Sequence, residues 1–147
     1  MSKIVTMLNG IRIHTGNSMW RKILIDLGAS VMDDSSLSDV DIDSLNIPKQ
    51  ITPLELKSII LNAVEDNHQN ILKKVFKKNI KLPRLQMDIV VLLFRTKGMS
   101  MNDMKAVLGY SPDIATHTID TAIYELRKTY GKDFIKNKNG KYIIGGL

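Results

Sequence analysis

Residues 116–130 read THTIDTAIYELRKTY. At about 100° per residue, Ile119, Ala122, Ile123 and Leu126 share one stripe, with Tyr130 a turn further on, which is the spacing of a helix that buries one face. Thr116 or Thr118 is a fitting N-cap, and the helix is expected over 116–129. Off the stripe stand His117, Asp120, Thr121, Tyr124, Glu125, Arg127 and Lys128. A face that is only solvated usually carries mixtures of Glu and Lys. Hydroxyls, a histidine and an aromatic with two adjacent cations are the chemistry of a surface pressed against something polar and anionic.

The flanking sequence says what kind of unit holds this helix. Downstream, residues 133–146 read DFIKNKNGKYIIGG. Asn-Gly suits a two-residue type I′ turn because both residues tolerate positive φ, so a hairpin is expected over 134–144. Upstream, Leu85 to Thr96 is a helix in which Ile89, Val90, Leu92, Leu93 and Phe94 make burial nearly complete, and Gly98 ends it. Ser100 caps the next helix with Asp103 at its third position, Met104, Val107 and Leu108 point inward, and Gly109 stops it. Residues 110–115, YSPDIA, form a loop. Three helices followed by a hairpin is the layout of a winged helix-turn-helix, whose third helix enters the major groove and whose hairpin is the wing.

Charge divides the chain. Residues 1–70 hold 6 Lys/Arg against 9 Asp/Glu, a net of −3, while residues 71–147 hold 15 against 6, a net of +9. Such asymmetry points to two functional halves, the second facing a polyanion. The chain has no cysteine, which excludes disulfides and thiolate metal sites and fits a cytoplasmic location. No apolar run reaches the roughly 18 residues that span a bilayer, so no membrane role is expected. The N-terminus lacks the pattern of a secretory signal.

The first half is expected to be a small mixed α/β domain. Residues 3–14, KIVTMLNGIRIH, alternate loosely around Asn9-Gly10. A hairpin and a single buried strand ending at Leu8 both satisfy that pattern. Ser18 caps a helix over Met19–Leu27 with Gly28 as its stop, and Trp20, Ile23, Leu24 and Leu27 are core candidates. Ala29 to Met32 suggests a short strand. Residues 33–44, DDSSLSDVDIDS, read as a solvated acidic loop, since their carboxylates lack the spacing of a calcium-binding loop. Thr52-Pro53-Leu54-Glu55 is a helix start with a capping box, followed by the stripe Leu56, Ile59, Ile60, Ala63 and Val64 as far as about Glu65. The lysine-rich stretch that follows is a second short helix or an extended linker. The boundary falls within 66–71, giving domains 1–68 and 69–147.

From Ile80 onward the chain resembles the C-terminal effector domain of the OmpR/PhoB family of response regulators. Leu82-Pro83-Arg84-Leu85-Gln86-Met87-Asp88-Ile89-Val90 is similar to that family's first helix start, L-T-x-x-E-x-x-L-L. The residues Thr118-Ile119-Asp120-Thr121-Ala122-Ile123-Tyr124-Glu125-Leu126-Arg127-Lys128 resemble its third-helix pattern T-V-D-x-x-I-x-x-L-R-x-K, departing where Lys128 directly follows Arg127. Ile135-Lys136 and Gly140-Lys141-Tyr142 resemble its wing. Residues 66–81 are too short for the four-stranded sheet with which the family opens this domain. The N-terminal half resembles a receiver domain with its middle removed: Lys3–Leu8 as first strand, Trp20–Leu27 and Gly28-Ala29-Ser30-Val31 as first helix and second strand, and Lys49 before the closing helix. Met7-Leu8-Asn9-Gly10 stands where the acidic pair would be, so phosphorylation of an aspartate is not expected.

The resemblance implies a sequence-specific DNA-binding transcription regulator of α+β fold that works without phosphorylation. Thr116, His117, Thr121 and Tyr124 would read the major groove. Arg127, Lys128 and Lys136 would hold phosphates, and Lys138, Asn139, Lys141 and Tyr142 would form the wing contact. Tyr142 at a phosphate and Tyr142 packed beneath the hairpin both remain open. Asp120 is given no base contact. Double-stranded DNA, a second copy of the chain, and RNA polymerase or another regulator are the partners implied. The alternative is a protein-interaction module on the same fold. His14, His68 and His117 are too dispersed for a zinc site. With no nucleophile elbow or Gly-rich phosphate loop, neither an enzyme nor a cofactor is expected.

Overall fold

A computed structural model describes residues 7–108 and 116–145. The chain is mixed α+β and divides into two compact units, Met1–Asn67 and His68–Leu147.

The first unit is built on three short parallel strands, β1 (Arg12–His14), β2 (Ser30–Met32) and β3 (Val40–Asp41), in the order β2-β1-β3. Ile13 lies opposite Val31 on one side and Val40 on the other. Because β1 is flanked on both edges by parallel strands, the Asn9-Gly10 turn does not lead into a hairpin, and Arg12–His14 form a central strand instead. Lys3–Thr6 lie outside the described residues. Ile11, Arg12 and Ile13 are all buried, as expected of a parallel strand covered on both faces.

Between β1 and β2 runs α1 (Ser18–Asp26). Asn17, rather than Ser18, is its N-cap, its side-chain oxygen accepting from the N–H groups of Met19 and Trp20. Leu24 and Leu27 enter the core and Trp20 packs against it, whereas Ile23 faces outward.

The acidic stretch 33–44 is not a solvated loop. It contains two 3-10 turns and β3, and it puts Val40 and Ile42 into the core. Its anchor is Asp39, which is 4 % exposed and faces Arg12, 2 % exposed. The Asp39 carboxylate accepts from the Arg12 backbone N–H at 2.9 Å and from a terminal guanidinium nitrogen at 3.0 Å. Arg12 Nε donates to the Leu37 carbonyl at 3.1 Å. A cation on a central strand would otherwise be prohibitive to bury, so the acidic segment is drawn over the sheet to match it.

The helix α2 (Pro53–Phe76) starts with the expected capping box: the Glu55 N–H donates to Thr52 Oγ1, and the Thr52 N–H to Glu55 Oε1. It does not stop near Glu65. Its 24 residues run through the expected linker, with Leu56 and Ile60 in the core of the first unit and Leu72 and Phe76 buried in the second. Lys77, at φ 63°, ends it in the left-handed region.

The second unit continues with α3 (Arg84–Thr96), α4 (Met101–Leu108), α5 (Thr116–Tyr130) and a hairpin of β4 (Ile135–Lys138) and β5 (Lys141–Ile144). Residues 89–93 of α3 are all buried, while Phe94 is exposed. The Asp103 N–H donates to Ser100 Oγ, capping α4 as expected. Ile119, Ala122, Ile123 and Leu126 are buried, and α5 packs on α3. Gly109, the expected stop of α4, and the loop 110–115 lie outside the described residues. Asn139 and Gly140 take φ of 55° and 82°, the pair of positive values a type I′ turn demands. Gly98, at φ 132°, brings Met99 alongside β5, where Met99 and Tyr142 exchange two backbone hydrogen bonds. A Cβ on Gly98 would lie 2.8 Å from the Ile143 side chain, so the site admits only glycine.

Breaking the Arg12–Asp39 pair should be costly. Arg12→Met is expected to lower the stability of the first unit by about 3–5 kcal/mol. Urea titration followed by emission of Trp20, the single tryptophan, checks this in the full chain. A loss below about 1 kcal/mol, the scale of a surface pair, would mean that the sheet does not depend on it.

Candidate functional site

The buried stripe of α5 fixes what its other face shows. His117, Thr121, Tyr124 and Lys128 follow one another at intervals of four, three and four, and so line up along the exposed side. All four are exposed, and Tyr124, at 61 %, is far more open than a large aromatic usually is. At 1.5 Å per residue the row is roughly 16 Å long. The Thr121 hydroxyl donates to the His117 carbonyl at 2.9 Å. Its proton is therefore used inside the helix, and it offers a partner only lone pairs and a methyl group. Thr116 begins the helix, but its side chain lies outside the described residues.

Beside this row is a groove of about 370 Å³ between the start of α3 and the first half of α5, lined among others by Pro83, Gln86, His117, Thr121 and Glu125.

The hairpin contributes a second basic surface. Lys136, Lys138, Asn139 and Lys141 are all exposed. Lys138 lies directly opposite Lys141 in the ladder. Like charges placed across a strand pair are destabilising in water, and an external anion relieves them.

Arg127 has a different position from the other cations. Its Nε donates to the Ile135 carbonyl at 2.8 Å, and its guanidinium carbon stands 5.8 Å from the centroid of the Tyr142 ring. It thus bridges α5 to both hairpin strands. Tyr142 is half-buried, with its ring under that guanidinium and its backbone paired to Met99. Below them Phe76, Tyr130 and Phe134 form a ring cluster, with centroids 4.7 Å, 5.2 Å and 5.5 Å apart. Lys128 is exposed and makes no ion pair among the described residues.

The first unit brings together a group that sequence reading missed. His14, at the end of β1, and Asp41 and Asp43, at and beyond the end of β3, place one ligand atom each within 4.8 Å of one another. His14 Nδ1 and Asp41 Oδ1 are 3.0 Å apart. Asp43 accepts from the Gly16 N–H and from the Thr15 hydroxyl, each at 2.7 Å. These bonds, that from Gly16 first, hold the Asp43 carboxyl below its ordinary range, with a smaller pull from His14. Each group is engaged by its neighbours, so the arrangement ties the β1–α1 loop to β3. The histidine and the aspartates are 27 or more residues apart, and only the parallel pairing of β1 with β3 joins them.

No protein-family model, curated protein or solved structure matches the chain. Among the described residues, no helix is long and apolar enough to cross a membrane.

Two outcomes are expected. Folding lowers the Asp43 pKa, so its stabilisation is complete above the ordinary carboxylate range and fades as pH falls into that range and through the depressed value. Asp43→Asn should therefore weaken the first unit at neutral pH and converge with the wild type in acid, as read by Trp20 emission in urea across pH. Parallel curves at all pH values would refute it. Separately, Arg127→Met should cost about 1.5–3 kcal/mol, the range for a hydrogen bond with a charged donor. It should also speed amide exchange at Tyr142. Exchange at the wild-type rate would show that Arg127 does not hold the hairpin.

Proposed function

We propose that residues 84–145 form a winged helix-turn-helix that binds duplex DNA, and that the chain is a transcription regulator acting as a homodimer without aspartyl phosphorylation. The observation that carries this reading is the junction of α5 with the hairpin. The exposed row of α5 and the paired lysines of the hairpin belong to one unit, and Arg127 fixes one against the other.

In this reading α5 lies in the major groove, which is about 12 Å wide and accepts a helix. His117 and Tyr124 reach base edges as donors or acceptors, and Thr121 offers its lone pairs and methyl, which suits a thymine methyl better than an acceptor atom. Lys128 and Lys136 hold phosphates, and Lys138, Asn139 and Lys141 follow the adjacent backbone, lysine being a compact point charge. Arg127 is a positioning residue here: it sets the angle of the wing, and so the spacing between groove and backbone contacts. The first unit supplies dimerisation or signal input, and RNA polymerase or another regulator is the partner on the promoter.

Binding to genomic fragments, followed by fluorescence anisotropy at several salt concentrations, tests the proposal. Tyr124→Ala should alter sequence preference. Lys138→Ala should weaken all sequences alike and lower the log–log salt slope by about 1. A chain that binds no duplex above the non-specific level at low salt would sink the reading, and recovery of a protein partner without DNA would replace it with an adaptor role.

A further inference from the structure

The contacts assigned to α5 and the wing leave one strongly basic segment unused. Between Asp66 and Asp88 the sequence has no carboxylate, yet Lys73, Lys74, Lys77, Lys78, Lys81 and Arg84 fall within twelve residues. All six are exposed. Arg84 lies 3.8 Å from Asp88, while the five lysines make no ion pair among the described residues.

Helix stability explains only part of this run. Lys73 and Lys74 sit in the last turn of α2, where the helix dipole favours cations. Lys77 and Lys78 lie past the end of that helix. Lys81 and Arg84 stand at the start of α3, where the dipole opposes them. The first turn there holds no acidic residue, and Pro83 makes no side-chain capping bond. The five lysines gathered this way repel one another, and an anion from outside relieves that repulsion.

The segment is also held in place. Phe76 packs on Tyr130 and Phe134, so the end of α2 is fixed at the C-terminal end of α5 and the base of the hairpin. Exposed Lys128 and Lys132 stand on either side of Tyr130. The apolar residues between the lysines are not available to a partner: Leu72 and Phe76 are buried, and Val75 and Ile80 are half-buried. The surface therefore offers charge without the apolar anchors on which protein interfaces rely, and its charges are all lysines apart from Arg84.

We propose that residues 73–84 are a second phosphate-binding surface, which grips the duplex backbone outside the stretch read by α5 and the wing. This rests on the DNA-binding reading above. It would add non-specific affinity and lengthen the footprint without changing which sequence is preferred.

The test uses the full chain carrying Lys73→Ala, Lys74→Ala, Lys77→Ala and Lys78→Ala together, with Lys138→Ala as the reference. Anisotropy is measured against salt on a long duplex and on one trimmed to the minimal site. On the long duplex the quadruple variant should lower the salt slope by about 3–4, at about 0.9 per phosphate contact. The ratio of specific to non-specific affinity should stay as in the wild type. On the trimmed duplex the difference should shrink. The matching Lys→Arg set should restore the slope, which separates charge from any loss of folding. A wild-type slope in the quadruple variant, with a lowered slope in Lys138→Ala, would overturn this inference and leave the DNA-binding reading standing. So would loss of binding to polyglutamate with the duplex slope unchanged, which would indicate an acidic protein partner. A wild-type chain that binds no duplex would overturn both.

Discussion

The burial of Ile119, Ile123 and Leu126 fixes the rotation of α5 about its own axis, and that rotation decides what the helix can present. Each of the three is worth about 1.5–3 kcal/mol of burial, and a helix turned to expose other residues would forfeit most of it. With the stripe inward, His117, Thr121, Tyr124 and Lys128 have no orientation other than outward. Thr121 shows how far this goes. Its hydroxyl is already bonded to the helix backbone, so its outward chemistry is narrower than its residue type suggests.

The hairpin buries Phe134 and Ile135 and packs β5 on α3, and a few polar and ring contacts add to this. Met99 adds a backbone bridge on the other edge of β5, which Gly98 permits by its unusual φ. Arg127 joins the strands to α5, and the ring cluster closes the base. This division suits a surface that must be rigid on one element and positioned on another. A guanidinium used in this way does structural work with a group that residue type alone assigns to phosphate. Its charge still contributes to the field of the unit, but its geometry is committed to the Ile135 carbonyl.

What could be read from the sequence was local chemistry. The stripe of α5, the Asn139-Gly140 turn, the Ser100 cap and the Thr52 capping box each depend on residues within a few positions, and each stands where the spacing put it. The parallel sheet could not be read this way, because its register joins residues far apart. Arg12 finds Asp39 across 27 positions, and nothing adjacent to either signals the other. That pairing also explains why a serine- and aspartate-rich stretch looked like a solvated loop. The extent of α2 was readable in principle: Leu56, Ile60, Val64, His68, Leu72 and Phe76 keep a four-residue step, and no Gly or Pro interrupts residues 54–82. The polar His68 in that row hides the continuity, as do the lysines that follow it. The meaning of the outward face of α5 is a different matter, since exposure and charge describe a surface and do not name its partner.

The two halves differ in the sign of their charge, and also in what their charges do. In the first unit most of the carboxylates have partners within the unit. Asp34 and Asp41 each accept from a backbone N–H in their own turns, Asp43 accepts from the distant Gly16 N–H, Asp39 faces Arg12, and Asp33 lies 3.0 Å from Arg21. Fold formation accounts for their presence without any partner. Beyond Lys73 and Lys74 at the end of α2, the exposed lysines of the second unit have no such explanation. Those at 73, 74, 77, 78, 128, 136, 138 and 141 find no carboxylate among the described residues, and two of them are paired across a ladder at a cost. The described lysines of the second unit thus carry a charge that the described carboxylates do not match.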